Sequence, residues 1–197
     1  MRIRGVVFDL DGTLVSQEID FEAIRRELGL PPRTPLLEAL DQLPVDERPR
    51  AMDVLARHEE LAAATAKLHD GVAEFVTWLE GKAVRRAVLS RNSRRSVSAV
   101  LARVRLEFDP IVSRDDAPYK PSPHGLWQIC KAWQVAPSEV LMIGDYIFDI
   151  QAGRSAGTRT ALVTHGKQWP FVELADVTFP NFASLPCFPP EWFIDSP

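Results

Sequence analysis

The chain has 197 residues, 46% hydrophobic and 25% charged, which suits one domain or one domain with a small insertion. Its net charge of −4 gives no electrostatic footprint for nucleic acid, and its two cysteines, Cys130 and Cys187, cannot build a disulfide scaffold. The first residues run straight into an apolar segment, and no run of about 18 uninterrupted apolar residues occurs. Neither a signal peptide nor a membrane span is expected, and a cytoplasmic protein, monomer or homodimer, follows.

Gly5 to Leu14 opens the pattern: an apolar run of strand character delivers Asp9 and Asp11 into a turn at Gly12. Two acids beside open backbone N–H groups at a strand end suit a metal ion and a phosphate. From about Ser16 to Asp70 the character changes. Phe21, Ile24 and Leu28 fall on one helical face, and Gly29 with Pro31-Pro32 stops that helix. Leu36, Leu37 and Leu40 predict a short second helix. A longer one is expected from about Glu47 to Leu68. This reads as a small helical insertion spanning residues 16–70, with residues 1–15 and 71–197 forming the main domain.

From Gly71 onward helices and strands alternate. Val72, Phe75, Val76 and Leu79 make a helix face, and Val84 to Ser90 reads as a buried strand. Ser93 caps a helix carrying Val97, Val100, Leu101 and Val104. A short strand is expected within Phe108–Ser113, and Ser122-Pro123 reads as an N-cap with a first-turn proline. Val140–Gly144 reads as strand, Ile147–Ala156 as helix and Thr160–Val163 as strand. Such alternation predicts an α/β protein, a three-layer doubly wound parallel sheet with ligands at the carboxyl ends of its strands. The tail holds Phe179, Phe182, Phe188, Trp192 and Phe193 among prolines and is expected to pack on the sheet edge. The four histidines show no ligand spacing and read as surface or satisfied side chains.

Four polar clusters then fall at strand ends: Asp9/Asp11, Ser90-Arg91-Asn92, Tyr119-Lys120-Pro121, and Gly144-Asp145 with Asp149. Phe8-Asp9-Leu10-Asp11-Gly12-Thr13 is similar to the DxDGT motif of the haloacid dehalogenase superfamily. Leu89-Ser90-Arg91-Asn92, Lys120-Pro121 and Gly144-Asp145 through Asp149 resemble its second, third and fourth motifs, in the same order. The chain thus resembles phosphatases of that superfamily, of the phosphoglycolate-phosphatase-like kind with a small helical cap after the first motif.

The resemblance implies Mg²⁺-dependent hydrolysis of a small phosphate monoester. Asp9 would be the nucleophile, forming an aspartyl-phosphate, and Asp11 the general acid and base. Ser90 would bind phosphate oxygens, with Gly12, Thr13, Arg91 and Asn92 as further substrate contacts. Lys120 would neutralise nucleophile and phosphate together, and Asp149 would orient Lys120 or the metal's water shell. Asp9, Asp11 (through its backbone carbonyl) and Asp145 would hold Mg²⁺. A phosphomutase shares the four motifs. A dehalogenase needs neither Asp11 nor Asp145, and a non-catalytic binding relative would be marked by a lost carboxylate.

Overall fold

The computed structural model describes residues 2–16, 19–184 and 192–193; Cys187 and Phe188 lie outside these. In chain order the first elements are β1 (Gly5–Phe8), β2 (Val15–Ser16), α1 (Phe21–Glu27), α2 (Leu36–Asp41), α3 (Arg48–Ala63) and β3 (Lys67–Leu68). They are followed by α4 (Val72–Gly81), β4 (Arg85–Leu89), α5 (Arg94–Val104), β5 (Ile111–Val112) and α6 (His124–Trp133). The last are β6 (Val140–Gly144), α7 (Ile147–Ala156), β7 (Arg159–Val163) and β8 (Val177–Phe179).

Six strands form one parallel sheet in the order β5-β4-β1-β6-β7-β8. β1 sits inside it, with Phe8 level with Val88 on one side and Ile143 on the other. Because the pleat alternates, Val6 and Phe8 enter one apolar layer with Val72, Phe75, Val97 and Val100 of α4 and α5. Val7 faces the opposite layer, with Leu126 and Ile129 of α6 and Ala152 of α7. Both faces are covered, so the strands read as continuous apolar runs rather than alternating ones. The result is the expected three-layer α/β architecture. The chain's direction of travel reverses about β1, and in open α/β sheets such a reversal leaves a crevice at the strands' carboxyl ends.

Helices α1 to α3 have an apolar cluster of their own, in which Ile24, Leu36, Leu37, Leu40, Ala51, Val54 and Leu55 are buried. The chain leaves β1 and returns from this unit through an antiparallel ribbon, Val15 opposite Leu68 and Ser16 opposite Lys67. That ribbon accounts for the early end of α3. The periodicity predicts helix to Leu68, but Lys67 and Leu68 are drawn into pairing and the helix stops at Ala63. Phe21, expected on the buried face of α1, is 46% exposed, and Ile24 carries the packing.

Ser93 caps α5 as expected, accepting from the Ser96 N–H. At α6 the structure differs: Pro123 itself occupies the cap position, and Ser122 Oγ contacts the His124 ring at 2.8 Å. The tail contributes β8 to the sheet edge, and Phe179, Phe182 and Phe193 are buried in the α4/α5 layer. Trp192 accepts a backbone hydrogen bond from Ile3 at 2.6 Å. No helix among the described residues is long and apolar enough to cross a membrane.

Candidate active site

The carboxyl ends of β1, β4 and β6 and the loop carrying Lys120 converge. Lys120 is 1% exposed, and its ammonium bridges Asp9 Oδ1 and Asp149 Oδ1, each at 2.6 Å. Burial alone would pull the Lys120 pKa down, but Asp149 and Asp9 outweigh it and hold the ammonium above its usual value. Asp149 Oδ2 also accepts from the Tyr146 N–H at 3.1 Å, which ties it to the first turn of α7. One turn earlier Gly144 lets this happen: a Cβ there would lie 2.2 Å from Cβ of Asp149. Gly144→Ala is expected to displace Asp149 and lower stability by about 1–3 kcal/mol, read as a lower midpoint of thermal unfolding.

Asp9, Asp145 and Asp149 each offer an oxygen to one cluster, all within 4.8 Å of one another. Their charges are poorly compensated. Burial raises Asp9 to about 6 despite Lys120. Burial, with Asp9 and Asp149 adding to it, raises Asp145 to about 8. One ammonium among three carboxylates leaves negative charge in a dry place, the donor set that suits a hard divalent cation. The residues present therefore fit Mg²⁺. Asp11 joins through a different route. Its Oδ2 accepts from Asn92 Nδ2 at 2.6 Å, and burial together with Asp9 raises its pKa to about 8. Both effects favour the protonated carboxyl.

The remaining expected site residues divide. Ser90, 2% exposed, closes β4 beside the cluster, its hydroxyl accepting the Asn92 N–H at 3.1 Å. Gly12 and Thr13 do not present open amides, contrary to expectation. Gly12 turns with φ +76 and donates to the Val15 carbonyl, Thr13 N–H points to Leu10, and the Thr13 hydroxyl reaches Asp145 at 3.4 Å. A turn this tight closes on itself, and its glycine is needed because a Cβ would lie 2.4 Å from Asp145 Oδ2. Asn92 positions Asp11. Arg91, expected at the substrate, instead donates through Nη2 to both oxygens of Glu38 at 2.8 and 2.7 Å and through Nη1 to the Lys120 carbonyl.

Two groups escaped the sequence reading. Glu59 of α3, 1% exposed, pairs with Arg114 and accepts from the Ser93 hydroxyl at 2.9 Å. It lies close enough to Asp11 to contribute to that group's raised pKa. His69 and His165 stack with ring centroids 4.1 Å apart, and His165 Nε2 donates to the Gly12 carbonyl at 2.8 Å. Burial lowers the pKa of both, which favours the uncharged rings. No local spacing announces either pairing, since the partners come from separate connections.

A parallel three-layer α/β protein with a carboxylate–lysine cluster at its carboxyl edge is a class of hydrolase scaffold. The family model described as haloacid dehalogenase-like hydrolase matches residues 3–157. A haloacid dehalogenase-like hydrolase domain-containing protein of Arabidopsis thaliana is 33% identical over 174 residues, covering 82% of this chain and 71% of that one. N-acetylmuramic acid 6-phosphate phosphatase of Pseudomonas aeruginosa is 30% identical over 189 residues, covering 84% of each. Among solved structures, a haloacid dehalogenase-like hydrolase from Bacteroides fragilis superposes with a TM-score of 0.80 at 20% identity, over 93% of this chain and 100% of that one. The chain belongs to the haloacid dehalogenase-like hydrolase family.

Proposed function

We propose that the protein is a Mg²⁺-dependent phosphatase that hydrolyses a small phosphate monoester through an aspartyl-phosphate on Asp9. The observation that carries this reading is the Lys120 bridge between Asp9 and Asp149, beside an Asp11 carboxyl held by Asn92. Phosphoryl transfer needs a nucleophile held in line, positive charge on the equatorial oxygens and a proton for the leaving group. Asp9 Oδ1 is held by Lys120, which leaves the other oxygen to attack phosphorus as the ester P–O bond breaks. Asp11, protonated and fixed by Asn92, delivers its proton to the departing alkoxide. As a carboxylate it then takes a proton from the water that splits the acyl phosphate. Ser90 offers its hydroxyl to a phosphate oxygen. Mg²⁺, held by Asp9, Asp145 and the Asp11 carbonyl with Asp149 behind them, would supply charge neutralisation for the transferring group. Relatives named phosphatases of N-acetylmuramic acid 6-phosphate and of phosphoglycolate support a phosphorylated metabolite as substrate.

Phosphate release from a panel of small monoesters, with and without Mg²⁺, tests the reading. Metal-dependent release is expected; no release from any ester by the folded, Mg²⁺-supplied protein would overturn it.

Raised carboxylate pKa values also make metal-free stability depend on pH. Asp11 and Asp145 titrate near 8 in the folded protein, against an ordinary carboxyl value of 3.8 once the chain unfolds. The folded protein holds those protons more tightly, so unfolding releases them between these values and stability falls as pH rises across that window. In chelator, the melting temperature is expected to be lower at pH 8 than at pH 6 by about 5 °C. Added Mg²⁺ should raise it more at pH 8, where the site carries more charge; a flat profile in calorimetry would contradict this.

A further inference from the structure

We propose that Glu38 on α2 commits the Arg91 guanidinium to the helical unit, so that the site favours phosphate monoesters whose leaving group carries no second anion. This rests on the phosphatase reading and names its substrate class.

Arg91 lies in the chain between Ser90, which the proposed mechanism sets at the phosphate, and Asn92, which holds Asp11. The planar fork of an arginine matches a carboxylate or a second phosphate better than any other side chain. Here the fork is already filled. Glu38 takes Nη2 with both oxygens, and the Lys120 carbonyl takes Nη1. The guanidinium is further held between two rings, 4.7 Å from the centre of Tyr119 and 4.3 Å from that of Phe148. Held on these sides, Arg91 cannot swing to a ligand without giving up its contacts with α2, the Tyr119–Lys120 loop and α7.

The second guanidinium at this boundary is treated in the same way. Arg114 is committed to Glu59, which α3 brings down beside Asp11. Tyr119 donates to Asp41, so α2 presents a second carboxylate next to Glu38. The face that the helical unit turns to the site thus brings Glu38, Asp41 and Glu59, each already placed against a core partner. Lys167 is another cation whose field reaches the cluster. It acts on Asp145 from an exposed loop, with its ammonium over Trp169 at 5.6 Å.

A leaving group bearing a carboxylate would have to displace Glu38 and leave that charge unpaired next to its own. A hydroxylated neutral leaving group, such as a polyol or a sugar, meets no such penalty. Specificity of this kind comes from repulsion of the wrong ligand as much as attraction of the right one.

The test compares kcat/KM for glycerol 1-phosphate and 2-phosphoglycolate in the Mg²⁺-loaded wild type and in Glu38→Gln. The wild type is expected to favour the glycerol ester at least about tenfold. Glu38→Gln, which keeps the shape and loses the charge, should narrow that ratio by about an order of magnitude, chiefly through KM for phosphoglycolate. A purely structural Glu38 would shift both esters together and leave the ratio unmoved, which would overturn the proposal. So would a wild-type preference for phosphoglycolate, whether or not the variant folds. If neither ester is hydrolysed and no ester of the wider panel is hydrolysed either, the phosphatase reading falls separately. The same ratio is then read from the dissociation constants of the two esters for wild type, by calorimetry, with the same expected direction and the same overturning result.

Discussion

Asp9→Asn is expected to abolish phosphate release while leaving the fold intact. The amide cannot serve as a phosphoryl acceptor, so the covalent route closes altogether, and kcat should fall by about 10³-fold or more. Substitution also removes one negative charge from a pocket where Lys120 faces Asp9 and Asp149 at 2.6 Å each. Lys120 then remains balanced by Asp149 alone, and the like-charge strain that raises Asp145 is eased. The melting temperature of the metal-free variant should therefore equal or exceed that of the wild type. Rapid-quench detection of an acid-stable, base-labile phosphoprotein in the wild type and its absence in the variant would locate the nucleophile. Retained turnover in Asp9→Asn would mean that another group attacks phosphorus.

Glu59→Ala is expected to give the largest loss of stability. Glu59 and Arg114 are almost wholly buried, with side-chain exposures of 2% and 4%. Removing one member strands the guanidinium, at a cost of about 3–5 kcal/mol, or on the order of 10 °C in melting temperature for a chain of this size. The Ser93 hydroxyl at the start of α5 loses its acceptor as well. Replacing both partners, as in Glu59→Met with Arg114→Met, should recover most of the loss, because a packed apolar pair needs no charge compensation. Activity carries a second signature. Without Glu59 a negative neighbour of Asp11 is gone, so the Asp11 pKa falls. The decline of kcat on the alkaline side should then begin at lower pH in any Glu59 variant that folds. A melting temperature within a degree or two of wild type for Glu59→Ala would show the pair to be dispensable.

Much of this scaffold could be read from local pattern alone. Val140–Gly144 and Ile147–Ala156 match β6 and α7 residue for residue, since a continuous apolar run followed by a helical face leaves little ambiguity. The four polar clusters also converge as their strand-end positions require. What local pattern could not supply were partnerships between distant elements. Arg91 looks like an anion ligand in sequence because nothing nearby announces Glu38, and Gly12 and Thr13 look like open amides until the turn closes on Val15 and Leu10. Helical spacing puts His58 or Glu59 on the apolar face with Met52, Leu55 and Ala62, but nothing local names Arg114 as a partner. Only the docking of α3 against α5 puts Glu59 in the dry boundary. The short strand expected within Phe108–Ser113 is found at Ile111–Val112, beside the end of β4.

The place of β1 inside the sheet bears on how the protein comes into being. Gly5 pairs with Arg85 on one flank and with Val140 on the other, so the strand bearing Asp9 gains its second neighbour only when most of the chain is available. Until then at least one edge of this apolar strand stays open, the kind of segment that pairs with wrong partners. Helices α1 to α3, closing on their own cluster through a short ribbon, can gather locally in the interval. Non-local parallel pairing of this kind is slow to form. On a ribosome, the carboxylates of Asp9 and Asp145 come into register late, and a nascent chain ending before β6 would carry Asp9 without the Asp145 and Asp149 that complete its cluster.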